Sequence, residues 1–429
     1  MRIQYDAGAF VITSVTSYSD VRQNIAASVC YDDPSDPAFP APGGGAMCLF
    51  GPAYGSAAAS GQVVDDYFDS RDNSRTFVQD LRLESGKASA FEWMLGASLL
   101  NRKALVGFDM GLLVAPGNDK VLVFPTWNRK KDDWVGAYGQ ATWKATDRIE
   151  FTVAARLDDQ RYRNTSYTDH TLTTIIQVPS KEGVPVDTQK ESKTAFQPKG
   201  QLSYHFSSDV MAYATVSRGF RSGYFLSGSF TLPESTTNYE VGLKVMGWNQ
   251  RLMTNIAAFH IDYSDQQFST AISQPPYRVA VIIPKTKIDG IEVETSALPS
   301  EYLRIGAGLG YLNAKVDDGT RAPATPRFTA NASADLSIPI AGGWGGRIHV
   351  DGRYNSSQYL YTQNTQEIGA KTYLNLRAGV HKDRIDVGAY ARNLTNERQS
   401  AMQGYSAAGG FMRYDNEPRT YGAEITVSF

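Results

Sequence analysis

The sequence predicts an all-β chain, the wall of an antiparallel transmembrane β-barrel of about sixteen strands, on three observations. Apolar and polar residues alternate with period two along most of the chain. The connections between the alternating segments are long and short in strict turn. Four of the six tryptophans stand beside the short connections. One face apolar and the other charged does not suit a sandwich core. It suits a wall with lipid on one side and a wet lumen on the other.

The expected strands, in order, are Ala9–Arg22, Ser74–Ser85, Phe91–Lys103, Trp134–Lys144, Ile149–Tyr162, Thr194–His205, Val210–Phe220 and Thr236–Val245. Then follow Arg251–Tyr263, Thr286–Ala297, Tyr302–Val316, Arg327–Ile338, Gly346–Ser357, Thr372–His381, Ile385–Asn393 and Thr420–Phe429. Near residue 95, Phe91, Trp93, Leu95, Ala97 and Leu99 oppose Glu92, Met94 and Ser98. Near 200, Phe196, Leu202 and Tyr204 oppose Gln197, Lys199, Gln201 and His205. Near 350, Ile348, Val350 and Tyr354 oppose Arg347, His349, Asp351 and Arg353. The last strand is the clearest: Tyr421, Ala423, Ile425, Val427 and Phe429 share one face, and Gly422, Glu424, Thr426 and Ser428 the other.

The short connections are tight turn sequences: SGKASA after Glu84, TDR before Ile149, SSD before Val210, GWNQ before Arg251, PSE before Tyr302, AGGW before Gly346 and KDR before Ile385. The long ones include Gln23–Asn73, Ala104–Asp133, Asn164–Lys193 and Glu397–Arg419. Outer-membrane barrels sort their loops by side in this way. Trp93, Trp143, Trp248 and Trp344 lie near short turns, where a periplasmic aromatic girdle would sit. The plainer alternative is that aromatics favour strand ends generally.

Composition agrees. With 24 Tyr, 19 Phe, 6 Trp and 38 Gly, the chain favours strands and turns. The net charge is -2 and the pI near 6.2, with Lys and Arg scattered, so no nucleic-acid partner is expected. No run approaches the roughly 20 apolar residues of a spanning helix. A mean hydropathy of -0.34 fits a barrel, whose faces average out. Cys30 and Cys48 share one Pro- and Gly-rich stretch. Its folding back suggests a local disulfide in an oxidising compartment, with two unpaired thiols as the alternative.

No catalytic signature is present, and neither enzymatic activity nor a cofactor is expected. His170, His205, His260, His349 and His381 have no metal-pair spacing. There is no G-x-S-x-G elbow, P-loop or HExxH. Asp32, Asp33 and Asp36 lack the offsets of a calcium loop. Gly43, Gly44 and Gly45 precede no phosphate-cradling helix. The lumen-side cations Arg82, Lys199, Lys244, Arg347, Arg353 and Arg392 could line a substrate path, but pairing with Glu84, Glu240, Asp351 and Glu424 is the favoured reading. The loop aromatics Tyr224, Phe225, Tyr359, Tyr361, Phe411 and Tyr414 are the better substrate-contact candidates.

Several strings carry a resemblance. They are MAYATVSRGFRSGYF at 211–225, PESTTNYEVGLK at 233–244, IDVGAYARNLTNER at 385–398, the closing YGAEITVSF, and the early VITSVTSYSDVR followed by FVQDLRLES. In order and spacing they resemble the barrel of TonB-dependent outer-membrane receptors, over essentially the whole chain. The resemblance implies a Gram-negative outer-membrane location, lipid as surroundings, and a small-molecule or metal-chelate ligand, most often a ferric siderophore. It also implies the outer-membrane assembly machinery as a partner, with the C-terminal Phe429 as its signal. The family's barrel has twenty-two strands behind an N-terminal plug. Sixteen strands here would match the last sixteen, with Arg2–Tyr5 as the tail of the sixth. The opening Met1–Asp6 has no secretory signal pattern, so the chain is expected to begin mid-protein, with TonB reached only through a missing plug. A passive porin of sixteen strands and a soluble all-β binding protein are the rival readings. The sheet is expected to stay open between the segments around Thr13 and Ile425, with a narrowed closed barrel as the alternative.

Overall fold

A computed structural model describes residues 1–27, 63–86, 90–114, 119–167, 185, 187–226, 229–271, 278–360, 364, 367–398, 400–405 and 411–428. Its strands are β1 (Arg2–Asp6), β2 (Phe10–Ala27), β3 (Val63–Ser85), β4 (Phe91–Val114), β5 (Asp119–Lys144), β6 (Ile149–Ser166), β7 (Asp187–His205), β8 (Val210–Arg221), β9 (Tyr224–Leu226), β10 (Ser229–Thr231), β11 (Glu234–Gly247) and β12 (Leu252–Ala271). They continue as β13 (Arg278–Ser300), β14 (Leu303–Val316), β15 (Phe328–Ile340), β16 (Trp344–Asn355), β17 (Gln358–Tyr359), β18 (Glu367–Ile368), β19 (Lys371–Lys382), β20 (Ile385–Arg392), β21 (Ser400–Tyr405), β22 (Phe411–Asp415) and β23 (Thr420–Val427).

Seventeen of these strands form one antiparallel sheet. Each wall strand pairs with the next in the chain, so the sheet is a simple meander. The other six make the two-stranded ribbons β9–β10, β17–β18 and β21–β22, all on long connections. Among the described residues β1 and β23 do not pair with each other. Thr13 lies between Gln4 and Arg82, and Ile425 faces Val387. The sheet is therefore open, with a margin at each end.

The alternation read from the sequence becomes two distinct faces. Phe91 stands opposite Trp143, Phe151 opposite Leu202, Val241 opposite Ala258, Ile348 opposite Leu336 and Val387 opposite Ile425. These side chains belong to the exposed apolar face, on which Leu95 is 56% and Ile425 72% accessible. In water such a surface would be a large exposed patch; in hydrocarbon it is the matching solvent. Trp143 stacks on Phe151 at 5.9 Å beside the short turn between β5 and β6, and Tyr204 meets Phe206 edge-on at 4.8 Å beside the next one.

All sixteen expected strands are present, and the expected tail Arg2–Tyr5 is the short β1. Boundaries at the long connections need correction: β7 begins at Asp187 rather than Thr194, β12 runs to Ala271 rather than Tyr263, and β13 begins at Arg278 rather than Thr286. β3 begins at Val63 rather than Ser74, and most of the loop expected over Ala104–Asp133 is ladder, from Ala104 against Lys130 to Val114 against Asp119. Backbone pairing continues there although the period-two signal fails in LVGFDMGLLV. Cys30, Cys48, Tyr361 and Phe429 lie outside the described residues.

Two substitutions test the sidedness. Val153→Arg puts a cation in the apolar band and should cost about 2–4 kcal/mol of folding stability. Gln201→Arg, on the other face, should stay within about 0.5 kcal/mol. Urea titration of the lipid-reconstituted chain reads both, and equal losses would contradict the assignment.

Candidate functional site

The polar face is a lattice of charges held at i, i+2 spacing, the spacing that puts two strand residues on one side. Asp80 accepts hydrogen bonds from Arg82 Nε and Tyr138 Oη, both at 2.7 Å. The Tyr138 ring lies across Gly96, where a Cβ would fall inside the ring. Arg156 lies over that ring at 5.2 Å and donates to Asp158 through Nε at 2.7 Å and Nη2 at 2.6 Å. Gln197 and Ser98 complete the group. The unit recurs on β8 and β11, where Tyr213 donates to Glu240 at 2.7 Å, Gly242 receives the ring and Lys244 lies over it at 5.7 Å.

The expected lumen-side cations sit within this lattice, but with partners other than those expected. Arg82 takes Asp80, Arg347 pairs with Asp386, and Glu424 is taken by Arg377. Arg353 lies over Tyr373 at 4.4 Å and Arg392 over Tyr390 at 4.8 Å. Asp351 is shared by His349 Nε2 at 3.3 Å and Asn375 Nδ2 at 2.9 Å. Lys199 is exposed. Sequence spacing gives the face but not the partner, because each residue has two neighbouring strands to choose from.

At the long-loop end of the same face the β9–β10 hairpin folds back over β5, β6 and β7. Phe230 packs on Tyr162 at 5.3 Å and on Phe225 at 5.0 Å, and Tyr162 meets Trp134 edge-on at 6.3 Å. Lys193 lies over the Phe230 ring at 5.7 Å, and Lys130 Nζ donates to the Phe225 carbonyl at 3.3 Å. Gly223 is required here, since a Cβ would meet both Phe230 and the Thr231 carbonyl at 2.5 Å.

Glu234, only 2% accessible, anchors the return of this hairpin. It accepts from Arg221 Nη1 at 3.1 Å, Tyr263 Oη at 2.8 Å and the Gln267 backbone N–H at 2.6 Å. Gln267 Nε2 in turn donates to the Leu232 carbonyl at 2.5 Å. β12 reaches this point by turning at Asp265, with φ 54°, opposite Pro284, which has no N–H to offer the ladder. A buried carboxylate with three donors is satisfied; one donor alone would leave it costly.

Two further loop bases are tied down by side chains. Arg321 spans the carbonyls of Thr325 and Ser357, exchanges backbone bonds with the Asn364 amide, and lies over Tyr359 at 5.2 Å. Asn393, in the left-handed region at φ 51°, donates to the carbonyls of Glu397 and Glu417 and accepts from the Glu397 N–H. It holds both feet of the last long connection together.

Of the six expected substrate-contact aromatics, Phe225 is buried in the hairpin at 8% accessibility, and Tyr224 beside it is half-buried. Tyr359 is half-buried against Arg321. Phe411 and Tyr414 lie in β22, whose side chains are outside the described residues. The structure thus brings Tyr224 and Phe225 together and places Tyr359 on a separate loop cluster. Sequence reasoning missed Trp134, Tyr162, Phe230 and Glu234. Glu234 opens the PESTTNYE string, but nothing local marks it as buried, because two of its donors come from β12.

Glu234→Ala should strand three donors, at about 1–3 kcal/mol for each left unsatisfied. Amide exchange and protease cleavage across 222–233 should rise while β5–β7 stay protected. Asn393→Ala should raise exchange at Glu397 and leave β19 and β20 unchanged.

A family model described as TonB dependent receptor-like, β-barrel matches residues 6–394. Among solved structures, the chain is similar to the ferric yersiniabactin uptake receptor FyuA from Yersinia pestis, at 16% identity and a TM-score of 0.77, over 99% of this chain and 60% of that one. It is similar to the closed form of the ferric-catecholate import receptor Fiu from K12 E. coli, at 15% identity and a TM-score of 0.73, over 100% of this chain and 63% of that one. The copper transporter OprC matches at 15% identity and a TM-score of 0.72, over 100% of this chain and 64% of that one. The chain thus spans between 60% and 64% of the length of these three proteins, and the likeness is one of fold.

Proposed function

This chain belongs to the TonB dependent receptor-like β-barrel family, and from that membership we propose that it forms the barrel wall of an outer-membrane receptor for energised uptake of a scarce nutrient, a ferric siderophore in first place. The observation that carries this reading is the furnished mouth. A structured hairpin, aromatic rings and the cations Lys130, Lys193 and Arg221 converge on the polar face at the long-loop end. Rings and cations together suit an anionic chelate that carries aromatic groups. In this proposal Tyr224, Phe225, Tyr359, Tyr361, Phe411 and Tyr414 meet the ligand, and Phe225 does so only when the hairpin lifts away from Tyr162. TonB would act through a plug, and the wall would be placed in a Gram-negative outer membrane by its assembly machinery.

The two receptors named for ferric siderophores and the one named for copper share this fold, so the cargo has to come from the mouth and not from the wall. The passive-pore reading has less support. A pore of this wall alone needs β1 to meet β23, and they do not pair among the described residues.

Deleting the gene in its host and following iron-labelled siderophores under iron limitation tests the proposal. Loss of uptake of one chelate, restored by the wild-type gene and lowered about tenfold or more by Tyr224→Ala, is the expected result; a loss of about 1.4 kcal/mol of binding gives that factor. Unchanged uptake across iron chelates, with loss of copper uptake instead, would reject the siderophore reading.

A further inference from the structure

One histidine on the polar face stands between two carboxylates. His349 of β16 places Nδ1 2.7 Å from Asp335 Oδ1 on β15 and Nε2 3.3 Å from Asp351 Oδ1 on its own strand. A neutral imidazole has one N–H, so it serves one of these oxygens and turns a lone pair toward the other. Only the imidazolium serves both. Imidazole is also the side chain that changes its charge between about pH 5 and 8. Water reaches the ring. His349 lines two recesses of the polar face, of about 210 and about 360 Å³, and its side chain is 43% accessible.

The other charged groups around the ring have partners of their own. Arg377 of β19 stands directly opposite His349 and is taken by Glu424 of β23. Arg347, two residues back on β16, is taken by Asp386 of β20. Arg392 of β20, at the smaller recess, lies over Tyr390, and Arg353 lies over Tyr373. Among the described residues Asp351 therefore has His349 as its one ion-pair partner. Its other oxygen accepts from Asn375 Nδ2 at 2.9 Å, and Asn375 Oδ1 accepts the Asn393 backbone N–H at 2.9 Å. Asn393 in turn accepts the Glu397 N–H and donates to the carbonyls of Glu397 and Glu417. A line of hydrogen bonds thus runs from His349 to the foot of the last long connection.

We propose that His349 is a proton-controlled tie on that connection: charged, it holds Asp351 and, through Asn375 and Asn393, the loop foot; neutral, it lets them go. At low pH both ring nitrogens carry protons and both oxygens of Asp351 are held. As the pH rises the Nε2 proton is lost, because Nδ1 keeps the shorter contact, and Asp351 then faces a lone pair. Arg353, two residues along the same face and in no ion pair among the described residues, is the cation it turns to. Asn375 loses the acceptor that orients its amide, and with it the hold on the Asn393 N–H. Order at the loop foot thus follows the acidity of the water on the polar face. The tie lies in the wall and needs no cargo, so it stands or fails apart from the proposed uptake. His260, on the opposite face, sits between Asp289 at 2.7 Å and Asp262 at 3.4 Å in the same way. Neither of those carboxylates bonds onward among the described residues, which makes His260 the matched control.

The test is residue-resolved amide exchange of the full chain in lipid nanodiscs at about pH 5 and about pH 8, corrected for the intrinsic effect of pH on exchange. Protection of the Asn393 and Glu397 amides should fall about fivefold at the higher pH, the upper range for a half-exposed ion pair. Protection along the β6–β7 ladder should not change. His349→Gln, which cannot be charged, should show the weaker protection at both pH values, and His349→Arg, which stays charged, the stronger. His260→Gln should keep the wild-type response. Equal protection at the two pH values in the wild-type chain, which needs no variant to fold, would overturn the proposal. So would a pH response that survives in His349→Gln.

Discussion

Everything in this chain answers to the backbone. In hydrocarbon an unpaired N–H or C=O has no water to turn to, so each strand must be bonded along both edges. The meander meets that demand with nearest neighbours in the chain. It needs no crossover, and register is carried from one short turn to the next. The two-faced pattern follows from this. Once every strand lies in a single layer, one set of alternate side chains must suit lipid and the other must suit water.

That single rule explains what the sequence made legible. Strands inside the apolar layer, such as Phe91–Lys103 or Thr420–Val427, advertise themselves by alternation because the two solvents differ. The same ladder continues from Ala104 and Lys130 to Val114 and Asp119, where LVGFDMGLLV does not alternate and the sequence reads as loop. The three small ribbons were invisible for a related reason. Runs of two to six residues, like β9 and β10, are too short for a period to show. Parity of the connections was a more durable signal than any single strand, since it depends on which side of a membrane each turn faces.

The polar face was legible as a face and illegible as a network. Arg82 has a carboxylate two residues away on either side, Asp80 and Glu84, and only the fold shows that it takes Asp80. Arg347 with Asp386 and Arg377 with Glu424 depend on which neighbouring strand offers its carboxylate, and only register decides that. The mouth is a stronger case. Glu234 gathers Arg221 from β8 and Tyr263 and Gln267 from β12 around one buried carboxylate. Its local sequence resembles any polar strand start. Of the aromatic candidates named from the loops, Phe225 packs inside the hairpin against Phe230, which its local sequence does not announce.

The rule that organises the sheet also exposes its margins. β23 is bonded to β20 on one side, and β1 to β2 on one side, with no pairing between them among the described residues. In a bilayer those margins must be met by other strands or stay costly. Residue-resolved amide hydrogen exchange of the chain in nanodiscs tests this most directly. The account predicts slow exchange throughout β4–β15 where the wall crosses the apolar layer. It predicts fast exchange at the alternate amides of β23 that point away from β20, and at the outer amides of β1. Uniformly slow exchange along β1 and β23 would contradict an open wall, and fast exchange within β6–β13 would contradict the wall itself.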